Sequence, residues 1–347
     1  MKLFTKDRFS DSTIRLREIK DEGETVILVN ILKQFQISLQ GLDAISLYSF
    51  GDLGINSSNY LVSVGSKKYV IKKLNDRSEV ELDFYCNLSN ELRRELEVFP
   101  FFRKCHSNKL YHDDKSSLYC LLDYIEGEFF KGTKAQLEEV ATAINRLHSY
   151  CASKSRLGFL PSREFDLIRI NKVLQNFLES NSKRRFLNRT QESMVSNNIT
   201  SFYRALDYLS NTNRSHLGKE ELVHIDLHPH NILYKNDTLM SILDINSFKL
   251  GQPCIAYGFA AYKLYRQSIA YDHTIARNFS IFKFIEHMKI NYDARLLLKG
   301  ALIEVLTRAT IILEPILEGE KSPWISVLDI QLLGILEVLH FLDIAHE

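Results

Sequence analysis

His224-Ile225-Asp226-Leu227-His228-Pro229-His230-Asn231 is the stretch on which the reading of this 347-residue chain turns. It sets a carboxylate, Asp226, five residues ahead of a side-chain amide, Asn231, and Pro229 keeps the segment from winding into a regular helix. Thirteen residues after Asn231, Asp244 closes the apolar run Met240–Leu243. A carboxylate can accept the proton of an attacking hydroxyl, and amide and carboxylate oxygens are hard donors for a small divalent cation. Three histidines also invite zinc, yet no HExxH pattern or nearby cysteine accompanies them. His224 is therefore expected to be structural, bonded to backbone, and His230 incidental.

Outward from this loop, the two halves of the chain differ in texture. Upstream, Ile27, Leu28, Ile31, Leu32 and Phe35 predict a helix over 24–36. Strands are predicted at Ala44–Phe50, Tyr60–Val64 and Lys68–Leu74, with Gly65-Ser66 as a tight hairpin turn. A helix from about Arg77 to Leu96 and strands at Val98–Phe102 and Ser117–Tyr124 complete a small α+β lobe. Downstream, Thr133 can cap a helix with the stripe Leu137, Val140, Ala141, Ile144, Leu147, His148. Helices are also predicted at 164–180, 191–210, 259–270, 276–290, 293–315 and 324–345, interrupted by apolar runs at Leu222–Ile225 and Leu239–Ile245.

Composition narrows the function classes. Forty-four basic residues balance forty-three acidic ones, so no net charge draws the chain to nucleic acid or an anionic membrane. Five scattered cysteines without a CxxC pair read as reduced thiols. Met1–Asp11 is polar, and the apolar stretch Ala301–Leu317 carries Glu304, Arg308 and Glu314, so no membrane span is expected. A cytoplasmic protein follows as the expectation, with no nucleic-acid or membrane partner; no feature sets an oligomeric state.

The string HIDLHPHNILY with SILDIN resembles the aminoglycoside phosphotransferase and choline kinase superfamily of small-molecule kinases, over about residues 45–265. His228-Pro229 after Asp226-Leu227 matches this branch better than the protein kinases. The resemblance implies a bilobal, protein-kinase-like α+β fold: a small N-terminal antiparallel-sheet lobe and a larger, mostly helical C-terminal lobe. The lobes are expected at 1–124 and 134–347, joined by a hinge at 125–133 with Gly127 and Gly132 as pivots. The implied activity is transfer of the γ-phosphate of ATP, with Mg2+, to a hydroxyl of a small molecule such as an aminoglycoside, choline, an amino sugar or homoserine.

The same resemblance assigns roles. Asp226 would be catalytic, and Asn231 and Asp244 would hold the metal. Lys72 in Tyr69-Val70-Ile71-Lys72 would contact the phosphates, braced by Glu81, with Glu79 as fallback. The phosphate loop would lie among Gly51, Gly54 and the polar stretch Asn56, Ser57, Ser58 and Asn59, and the adenine would meet Asp123, Tyr124 and Ile125. Two departures stand out: Asn246 where relatives carry a second acid, and Gly258 where they carry an aspartate at the start of a helix. A weak or inactive nucleotide-binding scaffold, or a kinase acting on a protein, is the alternative. The acids Glu286, Glu304 and Glu314 could suit a cationic acceptor.

Overall fold

The computed structural model describes residues 16–39, 45–50, 57–74, 78–154, 160–163, 165–212 and 214–345. In chain order these form β1 (Arg17–Glu18), α1 (Glu22–Gln34), β2 (Ile45–Ser49), β3 (Ser57–Val64), β4 (Lys67–Leu74), α2 (Glu79–Leu96), β5 (His112–Asp113), β6 (Leu118–Asp123) and β7 (Glu128–Phe129). There follow α3 (Lys134–Ala152), α4 (Leu167–Glu179), α5 (Arg189–Asn197), α6 (Ile199–Ser210), β8 (Glu221–His224), β9 (Ile232–Lys235), β10 (Thr238–Ile242) and β11 (Phe248–Gly251). The chain closes with α7 (Pro253–Tyr271), α8 (Ile275–Asn278), α9 (Ile281–Met288), α10 (Ala294–Glu318) and α11 (Leu328–Ile344). Among the described residues the contacts divide the chain into two compact units, one holding 16–129 with His230–Asn246, the other Phe130–Pro229 with residues 247–345.

The first unit is built on a six-stranded sheet in the order β1-β2-β3-β4-β6-β5, antiparallel throughout. Gly65, at φ +58, turns β3 into β4 as the sequence predicts. Strand alternation puts successive β4 residues on opposite faces. Tyr69 and Ile71 join the core that Leu28, Ile31, Leu32 and Phe35 of α1 cover, which leaves Val70 and Lys72 for the other face. Helix α2 crosses that other face: Cys120, the register partner of Lys72, meets Cys86 of α2 at an Sγ–Sγ distance of 3.7 Å. All five cysteines are buried free thiols.

Val98–Phe102 is not the expected strand; among the described residues its ladder pairing is a single bridge from Phe102 to Leu122. Side chains of α2 occupy the backbone groups that a ladder would use. Asn90 bonds both the N–H and the C=O of Phe102 at 2.7 and 2.9 Å, and Ser89 Oγ donates to the carbonyl of Pro100 at 2.6 Å. The sequence reading also passed over β9, which pairs with β10 and β7 in a separate three-stranded sheet. The signal for it was present. Asn236 and Asp237, at φ 51 and 60, are the two central residues of a hairpin whose flanking pair is Lys235 and Thr238.

The second unit is helical. Thr133, Asp166, Ser280 and Asp293 cap α3, α4, α9 and α10 by accepting an N–H of the first turn. The helix predicted over 191–210 is broken at Asn198, and that over 276–290 is split where Phe279 ends α8 and Ser280 starts α9. Helix α10 packs along α7, α11 and α4. Ile325–Ile344, among the described residues the one helical stretch long and apolar enough to cross a membrane, is mostly buried against these neighbours. Glu337 within it is fully buried and pairs with Arg266 of α7 at 2.7 Å, as a core helix would.

Gly258 corrects one expectation. It does not open a helix, because α7 begins at Pro253. It lies where α7 and α10 nearly touch: a Cβ on Gly258 would sit 1.9 Å from the Leu297 carbonyl oxygen, and one on Gly300 would sit 2.2 Å from that of Cys254. No side chain fits there, so an aspartate at this position is sterically excluded. Gly127 and Gly132 are also close-approach glycines, against β9 (Tyr234 O at 3.0 Å) and α7 (Ser268 Cα at 2.7 Å).

Candidate active site

In the first unit, three of the predicted residues come together. Lys72 Nζ lies 3.6 Å from Asp244 Oδ1, with the lysine side chain 17% and the aspartate 37% exposed. The N–H of Leu243, the residue before Asp244, donates to the carbonyl of Asn231 at 2.7 Å, so the two oxygen-bearing residues are tied through backbone. Asp244 itself has φ +55. Left-handed backbone is costly for a residue with a Cβ and is tolerated best by Asn and Asp, and such conformations collect at functional positions. The strand-end geometry of β10 thus aims a carboxylate where a regular strand could not.

Glu81 does not brace Lys72. Its backbone N–H is bonded by the cap Ser78 at 3.2 Å, and it forms no ion pair with Lys72 among the described residues. The fallback, Glu79, is taken by Lys109 at 2.8 Å and by the Tyr111 hydroxyl, which hold its carboxyl below the ordinary value. Ser58 pairs in register with Lys73, placing it on the α1 face and away from Lys72; of Ser57 only the strand backbone is described. Gly51, Gly54 and Asn56 lie outside the described residues. At the end of β6, Asp123 accepts from Arg103 Nε at 2.6 Å. The amides of Asp123 and Tyr124 donate to Phe101 and Lys68 at 3.3 and 3.2 Å, whereas the Ile125 N–H meets no backbone acceptor among the described residues.

In the second unit, Asp226 sits in a charged cradle. His224, the last residue of β8, is fully buried and packs edge-on to Phe248 of β11. Its Nδ1 accepts the Asp226 N–H at 3.3 Å, the backbone role expected of it. Arg308 Nη2 bonds Asp226 Oδ1 at 2.9 Å, and His228 Nε2 lies 3.4 Å from Oδ2. Burial pushes the Asp226 carboxyl up, but the opposing charges of His228 and Arg308 outweigh it and hold the group well below the ordinary carboxylate range.

Arg308 is a residue to which the sequence reading gave no role at the site. Its guanidinium lies 4.3 Å from the Phe259 ring centroid and reaches back one turn, Nε to Glu304 Oε1 at 2.8 Å. That same oxygen accepts from Arg163 Nη2 at 3.1 Å, while Glu304 is only 2% exposed. Asp226, Arg308, Glu304 and Arg163 therefore form an alternating chain of charge. Two carboxylates once available to a cationic acceptor are spent, Glu304 on two arginines and Glu314 on Arg169. The available signal was the i,i+4 spacing of Glu304 and Arg308 inside an otherwise apolar helix.

Known proteins share this fold. No curated protein sequence is similar enough to stand as a relative. Solved structures are similar at low identity. A spectinomycin phosphotransferase complexed with ADP and spectinomycin superposes with a TM-score of 0.66 at 14% identity, covering 94% of this chain and 98% of its own. The GDP and kanamycin complex of an APH(2″) enzyme gives 0.54 at 16%, with coverages of 91% and 99%. A thermostable aminoglycoside phosphotransferase with AMP-PNP and hygromycin B gives 0.53 at 14%, with coverages of 91% and 98%. At such identities the likeness establishes the kinase-like fold. The model of the phosphotransferase enzyme family matches residues 51–282, more than half of the sequence, and the chain belongs to that family.

Proposed function

We propose that this chain transfers the γ-phosphate of ATP to a hydroxyl of a small molecule, with Asp226 facing the acceptor and Lys72, Asn231 and Asp244 serving the nucleotide. The observation that carries the reading is the 3.6 Å approach of Lys72 to Asp244, a cation and an acid drawn from elements 172 residues apart in sequence, with the backbone carbonyl of Asn231 bonded to the residue before Asp244. Structures of similar fold contain ADP, AMP or AMP-PNP, and one contains GDP, which supports a nucleoside phosphate as donor.

The donor set suits magnesium. Asp244 and Asn231 supply one carboxylate and one amide oxygen, and magnesium typically takes one or two carboxylates and completes its shell with water and phosphate oxygens. Among the described residues no cluster of three or more His, Cys, Asp or Glu forms a self-sufficient metal cage, which fits a metal that arrives with its nucleotide. When bound, the ion would neutralise charge on the phosphates. Lys72 would hold phosphate oxygens as a point charge, and Ile125 N–H would bond adenine.

At Asp226, a carboxylate held strongly ionised is a weak base, so its main work is orientation. It accepts a hydrogen bond from the acceptor hydroxyl and takes the proton late. The hydroxyl oxygen bonds to Pγ as the bond from Pγ to the bridging oxygen breaks, and ADP leaves. With a loose transition state, positioning and charge supply most of the acceleration. Asp226→Asn should lower kcat by about 10²–10⁴ with little change in the KM for ATP. Unchanged turnover in that variant, measured by ADP release with a working acceptor, removes Asp226 from this role.

A further inference from the structure

We propose that the acceptor carries an anionic group, a carboxylate or phosphate, near its reacting hydroxyl, and that Arg163 together with Arg308 receives it. The inference rests on the phosphotransferase reading of Asp226 and names the class of molecule placed against it. Its basis is the vertical order of charge around that residue. Glu304, the acid that neutralises the two arginines, is 2% exposed, whereas the arginine side chains above it retain 26% and 28% exposure. Beside Asp226, itself 26% exposed, a solute meets guanidinium and not a second free carboxylate, because Glu304 is buried and paired.

The hydrogen-bond inventory points the same way. A guanidinium offers five N–H donors in a planar fork suited to carboxylate or phosphate. Arg163 spends Nη2 on Glu304, while its buried Nε has no partner among the described residues. The residue is fixed for reception: its backbone N–H donates to the Leu250 carbonyl at 2.7 Å, and its guanidinium lies 5.6 Å from the Phe165 ring centroid. A polycationic acceptor would meet two arginines here and find Glu304 and Glu314 already paired. An anionic acceptor would bond guanidinium N–H groups on the exposed part of the two arginines, with Arg163 Nε behind them. Asp226 would then contact the hydroxyl and the arginines the acid group, fixing which hydroxyl is phosphorylated.

The test compares matched acceptors on the full chain. ADP release is measured with hydroxy acids and sugar phosphates, with their neutral esters or parent sugars, and with hydroxylated amines including kanamycin, spectinomycin and choline. The anionic member of a matched set should be preferred. Arg163→Gln should raise its KM by about 10–100-fold, the worth of a charge-assisted hydrogen bond, while the KM of the neutral member moves less than threefold. Arg163→Lys, which keeps the charge without the fork, should fall between. Preference for a cationic or neutral acceptor, or an anionic KM indifferent to Arg163→Gln, overturns the proposal while leaving phosphotransfer intact. A loss in Arg163→Gln that appears equally with every acceptor and in the KM for ATP assigns the arginine to the transferring phosphoryl group and also overturns it. If no acceptor turns over and Asp226→Asn changes nothing, the phosphotransfer reading itself fails. Inorganic phosphate, titrated calorimetrically onto protein saturated with AMP-PNP, then decides the subsite: binding lost in Arg163→Gln upholds it, and binding absent or unaltered refutes it.

Discussion

Replacing Arg308 by glutamine tests the charged cradle around Asp226. The Arg308–Asp226 contact of 2.9 Å corresponds to an attraction of about 6 kcal/mol at an effective dielectric of 20. Both side chains are about a quarter exposed and the guanidinium is shared with Glu304, so the net worth is nearer that of one charge-assisted hydrogen bond, about 1.5–3 kcal/mol. Glu304, 2% exposed, keeps only Arg163 in the variant, which adds a desolvation penalty. The total loss of stability should be about 3 kcal/mol, the low end for removing one partner of a buried pair. Because the Asp226 pKa is depressed in the folded state, this deficit is fully present at neutral pH. It shrinks as pH falls below the unfolded carboxyl value of about 3.9. Turnover should drop by about 10–10²-fold through misplacement of the carboxylate. With Arg308 gone, burial is opposed by His228 alone and the Asp226 pKa rises, so the acid limb of kcat/KM moves to higher pH. ADP release between pH 4.5 and 8 reads the limb, and urea unfolding at pH 7 reads the stability. Arg308→Lys, able to hold one acid but not both, should lie between. An Arg308→Gln enzyme with the acid limb and turnover of the wild type would show that Asp226 is held by something else.

Asp244→Ala should abolish the magnesium dependence of nucleotide binding; calorimetric titrations with and without the ion read this, and an undiminished magnesium effect would discharge Asp244 from metal binding. Gly258→Ala places a methyl 1.9 Å from the Leu297 carbonyl oxygen, so α7 and α10 must separate by more than about 1 Å, at a cost of about 3 kcal/mol or more. The shift also carries Arg308 of α10 away from Phe259 of α7 and from Asp226. Thermal unfolding should show a lower Tm accompanied by reduced turnover, and an unchanged Tm would mean the helices do not cross as closely as described.

Much of the first unit was legible because its signals are local. Alternation and a glycine turn specify a hairpin, so β3, β4 and Gly65 fall where the pattern puts them. Val98–Phe102 misled because strand propensity says nothing about Asn90 and Ser89, which reach across from another element and take the backbone groups. The missed β9 had a usable turn signal in Asn236-Asp237, outweighed by attention to the histidines beside it. The Glu81 brace failed for a related reason. A helical spacing defines a face, but the rotation of α2 over the sheet decides which acid meets Lys72.

Sequence by itself determined the chemistry. Asp226, Asn231 and Asp244 lie within nineteen consecutive positions, and Lys72 follows a strand pattern, so the resemblance to a phosphotransferase loop is legible without any fold in hand. Tertiary structure alone decided what surrounds Asp226. Arg308 lies 82 residues downstream on a helix whose apolar pattern tells that it is buried but not against what. Its partner was chosen by the crossing of α7 and α10, which Gly258 and Gly300 permit by having no side chains. Helix-crossing geometry emerges from the summed packing of both helices, and no short window of sequence contains it.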